Sequence, residues 1–140
     1  MKAFSLLLIS ILLLGTACQG NKQKEEVKVK TTLADKELPE IKKLVDGEWE
    51  LISGKNAREL CEYENTFIKF DGDQYVWTED GKAEPGALNW RKADTGLGYE
   101  AYLMDVFYET NPAFPLSGQG DTLILQDCSA TGYTYTLVRK

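Results

Sequence analysis

The sequence predicts an all-β domain, a small antiparallel up-and-down β-barrel preceded by one short N-terminal helix. Three observations carry this. Only one stretch, Leu38 to Val45, has helical spacing of its apolar residues. From Glu48 onward, short alternating or apolar runs are separated by Asp, Gly, Asn and Pro clusters. The stretch Lys43 to Lys140 has room for about eight strands of roughly eight residues, the spacing of an antiparallel barrel or sandwich. Closure removes exposed strand edges, which favours the barrel, and eight strands leave an interior either filled by side chains or wide enough for one small ligand.

The helix follows from Pro39 at a first helical position, from Leu38, Ile41, Leu44 and Val45 on one face, and from Gly47 as a stop. Glu48-Trp49-Glu50-Leu51-Ile52 alternates charged and apolar residues, so Trp49 and Leu51 should point inward. Asn65 to Phe70 and Gln74 to Thr78 flank Asp71-Gly72-Asp73, a hairpin turn built from residues that tolerate positive φ. Glu79-Asp80-Gly81-Lys82 ends that hairpin, Ala87 to Arg91 forms a strand around Leu88 and Trp90, and Asp94-Thr95-Gly96 turns into Tyr99 to Tyr108. Glu109 to Asp121 holds two prolines and two glycines and reads as a loop. Thr122 to Gln126 and Tyr133 to Arg139 close the domain as a last hairpin around Ser129-Ala130-Thr131-Gly132.

Upstream of this domain, residues 1–17 read as an export signal. Met1-Lys2 supplies the positive end, and Ala3 to Leu14 is an uncharged run too short to span a bilayer as a helix. Gly15-Thr16-Ala17 before Cys18 resembles the end of a bacterial lipoprotein signal, in which the cysteine is lipidated and becomes the new N-terminus. Gly15 stands where such signals usually carry a branched aliphatic residue, and an ordinary secretory cut is the competing reading. Gln19 after the cysteine implies, by the same resemblance, the outer membrane rather than retention at the inner one. Residues 18–37 are a lipidated end and polar tether, with a flexible-coil span of about 24 Å. Within it, Lys24-Glu25-Glu26 resembles charged motifs that send some bacterial lipoproteins to the outer face; the alternative is a solvated linker. The barrel domain occupies 38–140, and the expected address is a lipid-anchored position at the bacterial outer membrane, on its periplasmic or cell-surface face.

Composition removes several function classes. The 140 residues include no histidine, which excludes Ser-His-Asp and Cys-His sites and imidazole-based metal sites. Removing the signal leaves 15 basic against 22 acidic residues, a balance opposed to phosphate recognition, so no nucleic-acid partner is expected. Glu48, Glu50, Glu62 and Glu64 form i, i+2 pairs, but both pairs alternate with apolar or aromatic residues as an outer, solvated face does. Asp71 and Asp73 are too few oxygen ligands for an EF-hand loop and belong to a turn. Asp105 lies on the phase opposite Tyr102, Met104 and Val106, and so outside. No catalytic residue, metal site or cofactor is expected.

Gly47-Glu48-Trp49 at the domain opening, Cys61 ahead of Phe67 and Phe70, the Asp71-Gly72 turn with Tyr75, and Asp121-Thr122-Leu123-Ile124-Leu125 together resemble the small lipocalin-like domains of bacterial lipoproteins. The resemblance covers about Leu44 to Arg139. It implies a lipocalin-type barrel with a possible ligand mouth, in which Trp49 packs across the closed end; it names no ligand. Candidate ligand-binding residues are Tyr75, Trp77, Trp90, Tyr102 and Tyr135, which either line a pocket or fill the barrel, and Phe114, exposed with Leu116 in the long loop.

With Cys18 assigned to lipid in an oxidising compartment, Cys61 and Cys128 remain as a disulfide pair. Two buried free thiols or half of a metal site are the competing readings. The functional expectation is a non-enzymatic, lipid-anchored barrel that binds a small apolar or amphipathic ligand. The alternative is a protein-interaction module, an inhibitor or a subunit of a surface assembly, with a filled barrel and an envelope protein as partner.

Overall fold

A helical turn and one α-helix lead into ten strand segments. The computed structural model describes residues 33–107, 111–129 and 132–140. The export signal, Cys18 and most of the tether lie outside the described residues. A 3₁₀ turn at Leu33–Asp35 precedes α1 (Leu38–Val45). The strands are β1 (Gly47–Lys55), β2 (Leu60–Glu62), β3 (Thr66–Asp71), β4 (Gln74–Glu79), β5 (Lys82–Ala87), β6 (Arg91–Asp94), β7 (Glu100–Phe107), β8 (Asn111–Gln119), β9 (Thr122–Asp127) and β10 (Thr134–Arg139). No helix among the described residues is long and apolar enough to cross a membrane.

The strands form one mostly antiparallel sheet in the order β5-β4-β3-β1-β10-β9-β8-β7-β6, with β2 beside β1. β2 and β3 pair with successive parts of β1, Lys55↔Leu60 to Ser53↔Glu62 and then Glu50↔Phe67 to Gly47↔Phe70, so they are two halves of one bent strand. The bend holds Asn65 at φ 50°, a conformation Asn tolerates better than most residues. β1 and β10 pair directly, from Trp49↔Arg139 to Lys55↔Thr134, which brings the two chain ends of the sheet together.

The sheet is not closed: among the described residues, no pairing joins β5 to β6. These strands lie at opposite ends of the ladder, yet only Leu88, Asn89 and Trp90 separate them in the chain. Every step between them is antiparallel and the steps are even in number, so β5 and β6 run in the same direction. β5 carries edge features: Pro85 has no N–H to donate, and most of the strand is solvated on both faces. The expected strand Ala87 to Arg91 therefore falls across the break, where Leu88 is buried and Trp90 half-buried.

The stretch expected as a loop from Glu109 to Asp121 instead contains β8, which pairs with β9 from Ala113↔Asp127 to Gln119↔Thr122. The register shifts between Pro115 and Ser117, and this irregularity absorbs the ladder bond that proline cannot make. Proline and glycine content thus concealed a strand rather than marking a loop.

The inner face carries the main core, including Trp49, Leu51, Ile68, Phe70, Leu123, Leu125 and Leu137, each at most 1% exposed. α1 seats over one end of the sheet, burying Ile41 and Val45, while Leu44 stays at the surface against expectation. Side chains fix that seat. Arg139 donates to the carbonyls of Leu44 (3.3 Å), in the last turn of α1, and of Asp46 (3.1 Å), which caps it, satisfying groups a helix C-terminus leaves open. The Asp46 carboxylate accepts from the Gly72 N–H (2.9 Å), and Lys42 meets Asp73 at 2.6 Å. The end bearing the β3–β4 turn is therefore capped. The opposite end, with Asn56, Asp80 and Gly132 in its loops, has no helix over it among the described residues.

Candidate functional site

The sequence-predicted aromatic residues separate into three places. Tyr75, Trp90 and Tyr102 are half-buried and pack on the core near the β5–β6 break. Tyr75 stands opposite Gly86 across the ladder, and its ring occupies the volume a side chain there would need, so the glycine permits the contact. Trp90 donates its indole N–H to the Gly72 carbonyl at 3.2 Å. Tyr102 lies 5.6 Å beneath the Lys92 ammonium and reaches Glu37 at 3.5 Å. Trp77, 8% exposed, belongs to the core.

Tyr135 belongs to a second group, toward the end without the helix. Its ring stacks on Tyr133 with centroids 5.8 Å apart and comes within 3.0 Å of where a Cβ on Gly54 would sit, with the Tyr63 hydroxyl 3.3 Å from the same point. Gly54 thus lets Tyr135 and Tyr63 approach each other, with Tyr133 stacked on Tyr135. Beside them lies Asp127, 6% exposed. Its Oδ2 accepts from the Tyr133 N–H and the Tyr135 hydroxyl, both at a long 3.4 Å, and its Oδ1 has no hydrogen-bond partner among the described residues. Burial pushes the Asp127 pKa above the ordinary carboxylate range. The Tyr133 hydroxyl donates to Glu59, and that bond to a carboxylate pushes the phenol up to about 12. Burial likewise raises Tyr135 and Tyr63. The three tyrosines stay protonated as donors at neutral pH.

Phe114 is in neither group. It is 1% exposed in a separate cluster with Ala101 and Leu103, and Tyr99 meets its ring edge-on at 5.9 Å. The expected exposed binding residue is core, because β8 places it opposite in phase to the inward Ala113.

Cys61 and Cys128 are free thiols, so the expected disulfide is not made here. Cys61 pairs across from Gly54 and interacts with Tyr133, whereas Cys128 packs against the Phe114 cluster. Burial and the neighbouring Asp127 raise the Cys128 pKa. Alkylation without reduction should therefore modify both Cys61 and Cys128, with Cys128 accelerating as pH rises toward its elevated pKa. Intact-mass analysis showing neither thiol modified until reductant is added would reverse this expectation.

Asp127 and Tyr63 were not legible as site residues, although a signal existed for the first. Thr122 to Asp127 places Asp127 in phase with inward Leu123 and Leu125, but apolar Ile124 between them hides the alternation. Glu48, Glu50, Glu62 and Glu64 are all exposed, and Asp73 is used by Lys42 in the turn. Asp105 is half-buried beside inward Met104. A groove of about 430 Å³ between Lys69, Gln74, Val76 and Pro85 is also lined by Tyr75 and Gly86, at the β4–β5 edge. No family model, curated protein or solved structure matches the chain.

Proposed function

We propose that this protein is a lipid-anchored envelope lipoprotein whose curled sheet works as a lipocalin-like barrel and binds a small apolar or amphipathic molecule on its inner face, without catalysing a reaction. The observation that carries the reading is the half-buried set Tyr63, Tyr75, Trp90, Tyr102 and Tyr133, which lies against the core instead of being sealed within it. Aromatic area with a polar tip, reachable from solvent on a concave face, suits an amphipathic guest. The Lys-Glu-rich tether would hold this face clear of the lipid surface to which Cys18 is attached. Continuity of β5 and β6 through Leu88 to Trp90 supports a barrel of eight strands in which these two segments are one bent strand.

Two measurements test the two halves of this reading. N-phenyl-1-naphthylamine, a neutral apolar probe, should bind saturably with one equivalent per chain, and Trp90→Ala should weaken it by roughly threefold to tenfold. Non-saturable partitioning would remove the ligand role. Cys18→Ala should move the protein from the detergent phase to the aqueous phase, since acyl chains contribute about 0.8 kcal/mol per buried methylene. A variant that still partitions with detergent would remove the anchor.

A further inference from the structure

The end of the sheet opposite α1 gathers carboxylates and tyrosines around Asp127. Asp127 is buried with Oδ1 unpaired and Oδ2 held only by long contacts. Tyr63, raised first by its burial, also lies in the field of Cys61, Asp127, Glu79 and Glu59. Tyr133 holds Glu59 through its hydroxyl and stacks on Tyr135.

A buried carboxylate oxygen without a donor is costly, and a donor or cation from outside the chain would lower that cost. The faces of aromatic rings attract cations, and nearby carboxylates add to that attraction once water is excluded. No group of three or more Cys, Asp or Glu side chains among the described residues converges as a metal site would need. An organic cation, with its charge spread over a larger body, fits rings and separated carboxylates better than a metal ion does.

We propose that this end of the sheet binds an organic cation, an amine or quaternary ammonium group of an amphipathic molecule, with Asp127 as counter-ion and Tyr63, Tyr133 and Tyr135 as the aromatic wall. The proposal rests on the interior ligand reading above and names the chemistry of that ligand's head group. Such a ligand supplies the charge that Asp127 lacks, so binding strengthens as pH rises and the carboxylate ionises. The other titratable groups around it are Tyr63, Tyr133, Tyr135, Glu59, Glu79, Cys61 and Cys128.

The test compares benzyltrimethylammonium with benzenesulfonate, probes of similar size and opposite charge, by calorimetry on the lipidated full-length protein in non-ionic detergent. The cation should bind at least about tenfold tighter than the anion, and Asp127→Asn should erase the difference. The same variant should keep its affinity for N-phenyl-1-naphthylamine within about twofold, which separates loss of the counter-ion from loss of the pocket. Its ligand-free melting temperature should equal or exceed that of the parent. A raised carboxyl pKa means the folded state holds the proton more tightly, so stability is full below the unfolded pKa and declines as pH rises toward the folded one. The neutral amide avoids that decline. Tyr63→Leu gives an independent measure and should weaken the cation about threefold or more.

Equal binding of cation and anion, or cation binding unchanged in Asp127→Asn, would overturn the proposal. Displacement of the cation by calcium chloride at equal concentration would overturn it in favour of an inorganic ion. If the neutral probe fails to bind the parent protein while the charge preference holds, the apolar interior reading falls and the cation site stands alone.

Discussion

Trp49→Ala should lower the stability of the domain by about 3–5 kcal/mol, a loss comparable to the whole stability of many small domains. Trp49 is 1% exposed and faces inward from β1, as the charged–apolar alternation around it requires. Three kinds of contact end on its ring. The core surrounds it and supplies the transfer and cavity terms, the larger part of the loss. The indole N–H donates to the Val45 carbonyl at 2.7 Å, tying the last turn of α1 to the first strand. The Arg139 guanidinium lies 4.2 Å from the ring centroid while its nitrogens hold the α1 carbonyls, so helix, first strand and last strand meet at one side chain.

Trp49→Phe separates these contributions. It retains much of the apolar area but loses the indole donor and weakens the cation–π contact, each worth about 0.5–1.5 kcal/mol. Its expected cost is therefore near 2 kcal/mol, with the remainder appearing only in the alanine variant. Urea unfolding followed by far-ultraviolet circular dichroism gives both values. An alanine variant within about 1 kcal/mol of the parent would show that Trp49 does not join these elements and would reopen a ligand role for it.

This part of the molecule was legible because its local signals agree. Pro39 opens the helix, Ile41 and Val45 mark its buried face, and the alternation of Glu48 to Leu51 sets the phase of β1. The turn Asp71-Gly72-Asp73 was readable too, since Gly72 adopts φ 61° between two strands that pair up to it. What could not be read was the element that joins helix to sheet. Arg139 lies more than ninety positions from the carbonyls it caps, and no local pattern ties a last-strand arginine to a first helix.

The candidate site was half legible for a related reason. Tyr75, Trp90, Tyr102 and Tyr135 announce themselves as aromatic residues on strands, but which of them are sealed depends on which strands curl together. Asp127 is the clearer failure. The paired carboxylates Glu48/Glu50 and Glu62/Glu64 are exposed, whereas the buried one stands alone at the end of an apolar strand. Its meaning comes from Tyr133 and Tyr135 on the next strand and from Tyr63 far upstream. The break between β5 and β6 was also hidden, because the turn residues Pro85 and Gly86 sit within a strand.

Phe114→Ser should cost about 3–4 kcal/mol, where an exposed loop residue would cost almost nothing. The difference decides between two views of the same thirteen residues. Read from composition, Pro112, Pro115 and Gly118 make Glu109 to Asp121 a loop and leave Phe114 free to bind something. In the structure β8 is central, paired with β7 on one side and β9 on the other, and Phe114 is 1% exposed against Ala101 and Leu103. Serine removes the ring, leaves a cavity and places a hydroxyl among apolar neighbours, so transfer, cavity and desolvation terms all have one sign. The edge-on contact with Tyr99 adds about 0.5–1.5 kcal/mol to the loss.

Leu97→Ser is the matched control. Leu97 is 52% exposed in the turn between β6 and β7, so its replacement should stay within about 0.5 kcal/mol. For a domain of this size, 3–4 kcal/mol at the midpoint corresponds to a fall of roughly 12 °C or more in melting temperature. Calorimetry on both variants reads the contrast directly. If Phe114→Ser melts within about 2 °C of the parent, the second apolar cluster is not part of the folded core, and the segment regains its place as a candidate binding surface.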